Sequence, residues 1–187
     1  MPDKAAVRSV LRKQRAQLTR EQVIAASERV SRHILACDAF RQAKSIMGFL
    51  AFGKELGVDW VLQEALALGK TVSVPFITSS TRFVPARLMS MQGFKLDRYG
   101  IRTVRQPVET VAPEKLDLVL VPGVAFGLDG SRMGMGAGYY DRFLLQAKRA
   151  VTMGVAYDCL LQEALPCDEH DVKMQLLVSE SGVRAIR

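Results

Sequence analysis

Two apolar segments of strand length, residues 45–51 and 71–77, lie on either side of residues 59–68, whose pattern predicts a helix. Gly69 follows this helical segment, at the place where a glycine commonly ends a helix. A strand, a helix and a strand in this order are typical of a right-handed crossover that places both strands parallel in one sheet. This order restricts the chain to an α/β fold.

The remaining segments extend this pattern in both directions. Residues 116–121, an apolar run interrupted only by Asp117, predict a buried central strand. Asp3 is a suitable N-cap residue and residues 19–22 match a capping box, so we expect two helices to open the chain. We expect residues 1–187 to form a single three-layer α/β domain, with a largely parallel central sheet and helices on both faces. The other predicted elements are strands at residues 83–88, 151–157, 176–179 and 183–186 and helices at residues 139–148 and 159–165, with mainly loop at residues 89–114.

Composition excludes several classes of protein. The chain has 187 residues, of which 49% are hydrophobic, so it can bury a core without a metal or a disulfide. Its three cysteines and two histidines show no metal-ligand spacing, which argues against a zinc site or a disulfide framework. Its apolar runs are far shorter than the roughly 20 residues that span a bilayer, and its start is too charged for a secretory signal. We therefore expect a cytoplasmic protein with no membrane partner, and we favour a monomer.

The positive charge of the chain is concentrated near its start. The formal net charge is +7, and residues 1–44 contain ten Lys and Arg residues against four Asp and Glu residues. A nucleic acid, an anionic nucleotide or an acidic small molecule would each fit this asymmetry. Because the chain has none of the helix-turn-helix, zinc-finger or RNA-binding signatures, we do not expect a nucleic-acid partner.

A glycine-rich stretch follows the predicted central strand. Six of the fourteen glycines fall within residues 123–138, and Arg132 lies among them. Glycines let backbone amides approach phosphate oxygens, and a guanidinium group binds phosphate through two parallel hydrogen bonds, so this stretch predicts an anion-binding loop. A long connection that needs glycine only for its turns is the alternative. The stretch lacks the Walker-type P-loop pattern, and it lies too far beyond the strand for a dinucleotide-binding turn.

The same stretch resembles the signature of the 5-formyltetrahydrofolate cyclo-ligases, also called 5,10-methenyltetrahydrofolate synthetases. The resemblance extends over nearly the whole chain and includes Glu55 after the first strand and Asp117 at the central strand. It implies an ATP- and Mg²⁺-dependent conversion of 5-formyltetrahydrofolate to 5,10-methenyltetrahydrofolate, with release of ADP and phosphate. The residues that carry the resemblance most specifically are Gly130, Arg132, Gly134, Gly136, Gly138, Tyr139, Tyr140, Asp141 and Arg142.

ATP and Mg²⁺ are the cofactors that this resemblance implies. Lys4 and Arg8 would reach the ATP phosphates from the first helix, where a spacing of four places both on one face. Asp141 and Asp171 would hold Mg²⁺, since carboxylate oxygens are the hard ligands it prefers. The implied nucleotide-binding residues are Lys4, Arg8, Arg132, Met133, Gly134, Met135, Gly136, Ala137, Gly138, Tyr139 and Tyr140.

The folate substrate would lie against a second group of residues. Glu55 corresponds to the folate-contacting glutamate of the family, whose carboxylate would accept hydrogen bonds from the pterin. Phe52 and Phe83 would flank the aromatic rings of the folate. Arg132 and Tyr139 would be the catalytic residues. The implied substrate-binding residues are Phe52, Glu55, Phe83, Gly136, Gly138 and Tyr139.

Each of these assignments has a structural alternative. Lys4 and Arg8 could be a solvated helix surface, and Asp141 could only favour the start of a helix. Asp171 could pair with Lys173. In the folate group, an ion pair of Glu55 with Lys54 competes with ligand binding, and Phe52 and Phe83 could simply belong to the core.

The chain departs from the family pattern at three positions. Gly127 and Gln175 stand where the family usually has Asp, and Leu160 stands where it usually has Gln. Asp129 and Gln162 lie nearby. A relative that binds folate or nucleotide without catalysis, or that acts on a different substrate, is therefore the alternative function.

Overall fold

The computed structural model describes residues 3–97 and 100–186. Within these residues the chain forms five α-helices and twelve strands. The helices are α1 (Lys4–Ala16), α2 (Arg20–Ala36), α3 (Asp38–Gln42), α4 (Asp59–Ala67) and α5 (Tyr139–Leu144). The strands are β1 (Ser45–Met47), β2 (Thr71–Ile77), β3 (Phe83–Arg87), β4 (Lys95–Leu96), β5 (Arg102–Thr103), β6 (Leu118–Pro122), β7 (Ala125–Gly127), β8 (Arg132–Met133), β9 (Val151–Val155), β10 (Leu161–Gln162), β11 (Leu176–Ser179) and β12 (Gly182–Ala185).

Seven of these strands form the central sheet, in the order β12-β11-β9-β6-β1-β2-β3. The five inner strands are parallel to one another, and the edge strands β3 and β12 run antiparallel to their neighbours. The β1–α4–β2 unit is the parallel crossover that the sequence predicts. The α/β class and the largely parallel sheet are thus confirmed.

Alternate side chains of the central strand β6 face two separate cores. Leu118 and Leu120 pack in a cluster that includes residues of α1, α2, α3 and α4. Val119 packs in a second cluster, together with Phe143 and Leu144 of α5. Because successive side chains of a strand point to opposite faces, the helices cover both faces of the sheet and form three layers.

The capping residues fix where the first helices begin. The Asp3 carboxylate accepts hydrogen bonds from the backbone N–H groups of Ala5 and Ala6 at the start of α1. Thr19 and Gln22 form a complete capping box at the start of α2. Since these bonds satisfy N–H groups that have no partner inside the helix, they fix the first turns of α1 and α2.

Two predicted helices differ in the structure. The helix predicted over residues 159–165 is wrong, because Asp158–Leu160 forms a single 3₁₀ turn and Leu161–Gln162 pairs with β7 as β10. The helix predicted over residues 139–148 ends at Leu144. The described residues of the loop region 89–114 contain the short pair β4 and β5, an isolated bridge from Thr110 to Ala86 and the start of a 3₁₀ turn at Pro113–Lys115.

The strand predictions were closer, although β1 is shorter than residues 45–51 and β9 ends at Val155. The glycine-rich stretch contains β7 and β8, which form a three-stranded sheet with β10. None of the helices in the described part of the chain has the length and the apolar run needed to span a lipid bilayer.

Candidate active site

A cavity of about 430 Å³ opens where the central strands end. Ile77 at the end of β2, Pro122 at the end of β6 and Glu55 in the loop after β1 all line it. Ligands of open α/β sheets bind at the carboxyl ends of the strands, so the topology alone makes this the expected site. The predicted site residues that line the cavity are Lys4, Arg8, Glu55, Phe83, Arg132, Gly134, Met135, Gly136, Ala137, Gly138, Tyr139, Tyr140, Asp141 and Asp171.

The stretch from Gly134 to Gly138, called here the glycine loop, connects β8 to α5 along the cavity wall. Gly136 and Gly138 have φ angles of +101° and +64°, which side-chain-bearing residues rarely adopt. A Cβ atom on Gly138 would also lie 2.8 Å from an Nη atom of Arg142. The loop therefore needs glycine for its shape.

Arg132 is the most buried charged group of the cavity. Its side chain is 6% exposed, and its Nη2 donates a hydrogen bond of 2.6 Å to Oδ1 of Asp141. Arg132 Nε and Tyr140 Oη are buried, and neither has a hydrogen-bond partner among the described residues. A buried polar group without a partner costs about 1–3 kcal/mol, and a ligand that hydrogen-bonds to it recovers this free energy. Arg132 Nε and Tyr140 Oη are therefore available to a ligand.

Tyr140 remains protonated in this environment. Burial, and then the nearby Glu55 carboxylate, raise the pKa of Tyr140 well above its ordinary value. The Arg132 guanidinium carbon lies 5.7 Å from the centre of the Tyr140 ring and opposes this shift. Tyr140 is therefore a hydrogen-bond donor in the cavity wall.

The first helix adds two more cations to the cavity. Lys4 Nζ lies 2.7 Å from Oδ2 of Asp168 and also pairs with Asp171, while Arg8 Nε donates a hydrogen bond of 2.9 Å to the Gly134 carbonyl. Although burial favours the neutral amine, the hydrogen bonds to the two carboxylates raise the pKa of Lys4. The spacing of four residues brings both cations to one site, so this pair is more than a solvated surface.

Asp141 and Asp171, the predicted metal ligands, also meet at the cavity. Asp141 pairs with Arg132 and accepts a long hydrogen bond of 3.4 Å from the Val172 backbone N–H. Partial burial favours the neutral acid, but the Lys4 hydrogen bond lowers the pKa of Asp171. Lys173 pairs with Asp129 at 2.7 Å, so the alternative of an Asp171–Lys173 pair is wrong.

Asp141 and Asp171 suit a Mg²⁺ ion that binds together with phosphates. They suit a metal ion held by protein ligands alone less well. Among residues 3–97 and 100–186, no group of three His, Cys, Asp or Glu side chains could hold a metal ion. Mg²⁺ commonly uses one or two carboxylates together with substrate phosphates and waters. The donor set therefore suits a nucleotide-bound ion, with Lys4 and Arg132 as the cations that balance the carboxylates.

Glu55 lies partly buried in the loop after β1. Its Oε2 accepts a hydrogen bond of 3.1 Å from the Phe52 backbone N–H, and burial raises the pKa of the carboxyl group above its ordinary value. Lys54 does not pair with it and instead donates to the Ala16 carbonyl. Glu55 is therefore a cavity group rather than half of a surface ion pair.

The two predicted aromatic residues have different positions. Phe83 lines the cavity and packs at 5.2 Å, between ring centres, from Tyr140 and at 4.6 Å from Phe143, so it belongs both to the site and to the core. Phe52 is 49% exposed and does not line the cavity. Met133 is also absent from the wall, since its side chain is fully buried in the core.

Several residues of the wall were not predicted. Pro75, Ile77, Pro122 and Gly123 lie near the ends of two central strands, where the strand-end rule for α/β sheets could have found them. Ile101 and Asp168 carry no local signal. The contact of Asp168 with Lys4 joins residues 164 positions apart.

The three departures from the family pattern lie outside the cavity wall. Leu160 is buried in the core, and the Gln175 side-chain oxygen accepts a hydrogen bond of 2.9 Å from the Thr152 backbone N–H. A Cβ atom at Gly127 would overlap Ser131 and Asp129, so the present loop cannot hold a larger residue there.

The fold and the cavity together define an α/β protein with a candidate site at the ends of the strands, where Lys4, Arg8 and Arg132 line one cavity. The model of the 5-formyltetrahydrofolate cyclo-ligase family matches residues 1–180, and the chain belongs to this family. The 5-formyltetrahydrofolate cyclo-ligase of Haemophilus influenzae is 34% identical over 173 residues, which cover 90% of this chain and 92% of that protein. The Escherichia coli protein of the same name is 29% identical over 179 residues, covering 93% and 98% of the two chains.

The fold of the family is likewise confirmed by a solved structure. The NMR structure of Aquifex aeolicus 5,10-methenyltetrahydrofolate synthetase is 31% identical in sequence and superposes with a TM-score of 0.87. The match covers 98% of this chain and 93% of that one.

Proposed function

We propose that the protein converts 5-formyltetrahydrofolate to 5,10-methenyltetrahydrofolate, using ATP and Mg²⁺ and releasing ADP and phosphate. The names of its relatives support this reaction. The single observation that carries it is Arg132, a buried guanidinium group held by Asp141 in the cavity wall with an unpaired Nε.

The reaction needs a site that handles phosphoryl charge. The formyl oxygen is a poor leaving group until it is phosphorylated, after which the neighbouring folate nitrogen can attack the formyl carbon and phosphate can leave. Lys4, Arg8 and Arg132 would neutralise the charge that develops during phosphoryl transfer, without a covalent enzyme intermediate. Asp141 and Asp171 would hold Mg²⁺, which supplies further charge neutralisation on the phosphates.

The glycine loop would bind the triphosphate. Its backbone amides would donate hydrogen bonds to the phosphates in addition to those from Lys4, Arg8 and Arg132. Tyr139 is fixed at the start of α5 by a hydrogen bond of 3.1 Å from its hydroxyl group to the Ser79 carbonyl. We assign it to holding the reactive ends of the two substrates in line, which is a large part of catalysis when two molecules must meet.

The folate would lie against the less charged part of the cavity wall. Glu55 would accept hydrogen bonds from the pterin, and Phe83 with Ile77 and Ile101 would contact its rings. The unpaired Tyr140 hydroxyl group would be a hydrogen-bond donor to the folate. It lies close enough to Glu55 for that carboxylate to raise its pKa.

A direct assay tests this function. Purified protein incubated with 5-formyltetrahydrofolate and Mg-ATP should form the ultraviolet absorbance of the methenyl product and release ADP. Omission of ATP or of Mg²⁺ should abolish both signals. Absence of turnover at high protein concentration would refute the proposal. Because none of the three departures from the family pattern lines the cavity, they give no support to a non-catalytic function.

A further inference from the structure

Two acidic groups of the cavity wall, Asp168 and Asp171, lie on the segment of residues 165–174, called here the carboxylate segment. All residues of this segment are described, and none of them lies in a helix or a strand. Regular backbone hydrogen bonding therefore does not fix where the two carboxylates lie. Because Asp171 is one of the two residues that we assign to Mg²⁺, the contacts that hold the segment matter for the site.

The turn that connects β7 to β8 supplies these contacts. The Ser131 hydroxyl oxygen accepts a hydrogen bond of 2.9 Å from the Leu165 backbone N–H, where the carboxylate segment begins. Where the segment ends, the Met174 backbone N–H donates a hydrogen bond of 2.8 Å to the Gly130 carbonyl. The same turn leads directly into Arg132, the first residue of β8. One turn thus holds both ends of the segment and also precedes the buried guanidinium group of the site.

Asp129 in this turn joins the contacts into one network. Its Oδ1 accepts hydrogen bonds from the backbone N–H and the hydroxyl group of Ser131, and its Oδ2 accepts one of 2.7 Å from Lys173 Nζ. A serine hydroxyl group has only one hydrogen to donate, so the bond to Asp129 leaves its oxygen as the acceptor for the Leu165 N–H. The Asp129 carboxylate therefore orients Ser131 and ties the turn to Lys173, two residues beyond Asp171.

The network is closely packed and lies behind the cavity wall. Ser131 is 1% exposed. A Cβ atom on Gly127 would lie 2.1 Å from Ser131 Oγ and 2.4 Å from Asp129 Oδ1, so the absence of a side chain at this position gives the network its space. Asp129 does not line the cavity. Any effect of Asp129 on a bound ligand must therefore pass through other residues.

We propose that Asp129 is a positioning residue of the active site. Through Ser131 and Lys173 it holds the carboxylate segment so that Asp171 is in place for Mg²⁺ and the nucleotide phosphates. Loss of a residue that orients a metal ligand without touching the metal commonly reduces metal affinity or activity by about 10–100-fold. This inference rests on the function proposed above.

The experiment compares Asp129→Asn with a matched control. The asparagine keeps the size of the side chain, but it is uncharged and has one oxygen in place of the two that bind Ser131 and Lys173. Asp158→Asn is the control, because Asp158 also accepts a hydrogen bond from a serine hydroxyl group, that of Ser181, and lies outside the cavity wall. Calorimetry measures the dissociation constant of ADP with and without Mg²⁺, and mass spectrometry measures amide hydrogen exchange in the carboxylate segment and in β6.

We expect Asp129→Asn to raise the dissociation constant of Mg-ADP by about tenfold and that of metal-free ADP by less than about twofold. A residue that only stabilised the fold would affect both constants alike. Amide exchange should become faster in the carboxylate segment and stay unchanged in β6. Asp158→Asn should change none of these values.

Lys173→Gln tests the same network if Asp129→Asn does not fold. The Lys173 side chain is 56% exposed, so its replacement leaves the core intact. It should also raise the dissociation constant of Mg-ADP more than that of metal-free ADP, by a smaller factor than Asp129→Asn. Because residues of one network are not additive, Lys173→Gln should cause little further change in a protein that already carries Asp129→Asn.

Three results would overturn the inference. They are an unchanged dissociation constant for Mg-ADP, equal changes with and without Mg²⁺, and unchanged amide exchange in the carboxylate segment. If the unaltered protein forms no methenyl product, the proposed function fails. The exchange measurement does not depend on catalysis, so it still decides whether Asp129 holds the segment.

Discussion

Two parts of the cavity wall hold their charged groups in different ways. Where α1 meets the glycine loop, Arg132 pairs with Asp141 and Lys4 with Asp171, while Arg8 donates a hydrogen bond to the Gly134 carbonyl. In the loop after β1, Glu55 has no ion-pair partner among the described residues and is stabilised by a backbone N–H group. In the first part most of the charge is balanced before any ligand binds, whereas in the second the partly buried Glu55 carboxylate has no ion pair within the described part of the chain and only a longer-range interaction with Arg15.

The two parts of the cavity wall therefore differ in what they contribute. The paired groups are oriented by one another, so they can receive phosphates without rearrangement, which is the arrangement that electrostatic catalysis needs. Glu55 is held in an environment that raises its pKa, so its charge lowers the stability of the fold. We expect variants of the paired groups to lose catalysis and variants of Glu55 to lose folate affinity.

The largest effect is expected for Arg132→Ala. The change removes the guanidinium group that we assign to the transferring phosphate and leaves Asp141 without its partner. Loss of one preorganised charged donor commonly reduces the rate by about 10²–10³-fold, and we expect a decrease of this size in kcat/KM for ATP. Steady-state kinetics at saturating folate would measure it.

Arg149→Gln is the control for Arg132→Ala, since Arg149 is exposed and lies outside the cavity wall. Urea denaturation of both variants separates a loss of fold from a loss of catalysis. A folded Arg132→Ala protein that retained kcat/KM within tenfold would contradict the assignment of Arg132 to the phosphates.

A smaller and more selective effect is expected for Glu55→Gln. The amide keeps the shape of the side chain and can still accept from Phe52, but it removes the charge. Because a hydrogen bond to a charged group contributes about 1.5–3 kcal/mol, the KM for folate should rise by about ten- to a hundredfold, with little change in the KM for ATP. If Arg132→Ala and Glu55→Gln raised the KM for ATP equally, the assignment of Arg132 to ATP and of Glu55 to folate would be wrong.

The same variant gives a pH signature. Folate binding through the Glu55 carboxylate requires the ionised form, so kcat/KM for folate should fall as the pH drops through the raised pKa of this group. Glu55→Gln should remove this fall in kcat/KM at low pH. Any fall caused by the titration of other groups should remain. A profile that Glu55→Gln does not alter would show that the charge of Glu55 is not used.

The amino-acid sequence determined the central elements well because their signals are local. The strand β6 (Leu118–Pro122) is apolar on both faces, and Gly69 follows α4 with a φ of +72°. The error at residues 159–165 has a non-local cause: Leu161 pairs with Phe126 of β7, and this partner cannot be read from the segment itself.

The residues of the candidate site also divide into those with a signal in the sequence and those without one. The glycines predict the glycine loop by themselves, whereas Arg8 is predicted only through the family resemblance, and both line the cavity. Met133 and Phe52 do not line it, because their exposure depends on the packing of other elements. Asp168 could not be predicted, since only the folded chain brings it to Lys4.

A moderate effect on stability is expected for Asp171→Asn. The Lys4 hydrogen bond lowers the pKa of Asp171, so the pair stabilises the folded state above the ordinary aspartate pKa of about 4 and is lost as the pH falls through the lowered value. The variant should lose about 1 kcal/mol of unfolding free energy at pH 7 and little in strong acid. Asp168→Asn is the matched control, since Asp168 contacts the same Lys4 but its side chain is 71% exposed, against 17% for Asp171. Equal losses at pH 7 would show that burial does not strengthen the Lys4–Asp171 pair.

The smallest effect has the opposite sign and comes again from Glu55→Gln. An acid whose pKa is raised on folding stabilises the protein only while it is protonated, and this contribution is lost as the pH rises through the raised pKa. At pH 7 the ionised Glu55 therefore destabilises the fold, and Glu55→Gln should increase the unfolding free energy by less than about 1 kcal/mol, with no gain near pH 4. Denaturant titrations at both pH values would measure the change. A loss of stability at pH 7 would mean that the hydrogen bond from Phe52 to the carboxylate outweighs the effect of burial, and the contrast between the paired and the unpaired parts of the wall would then disappear.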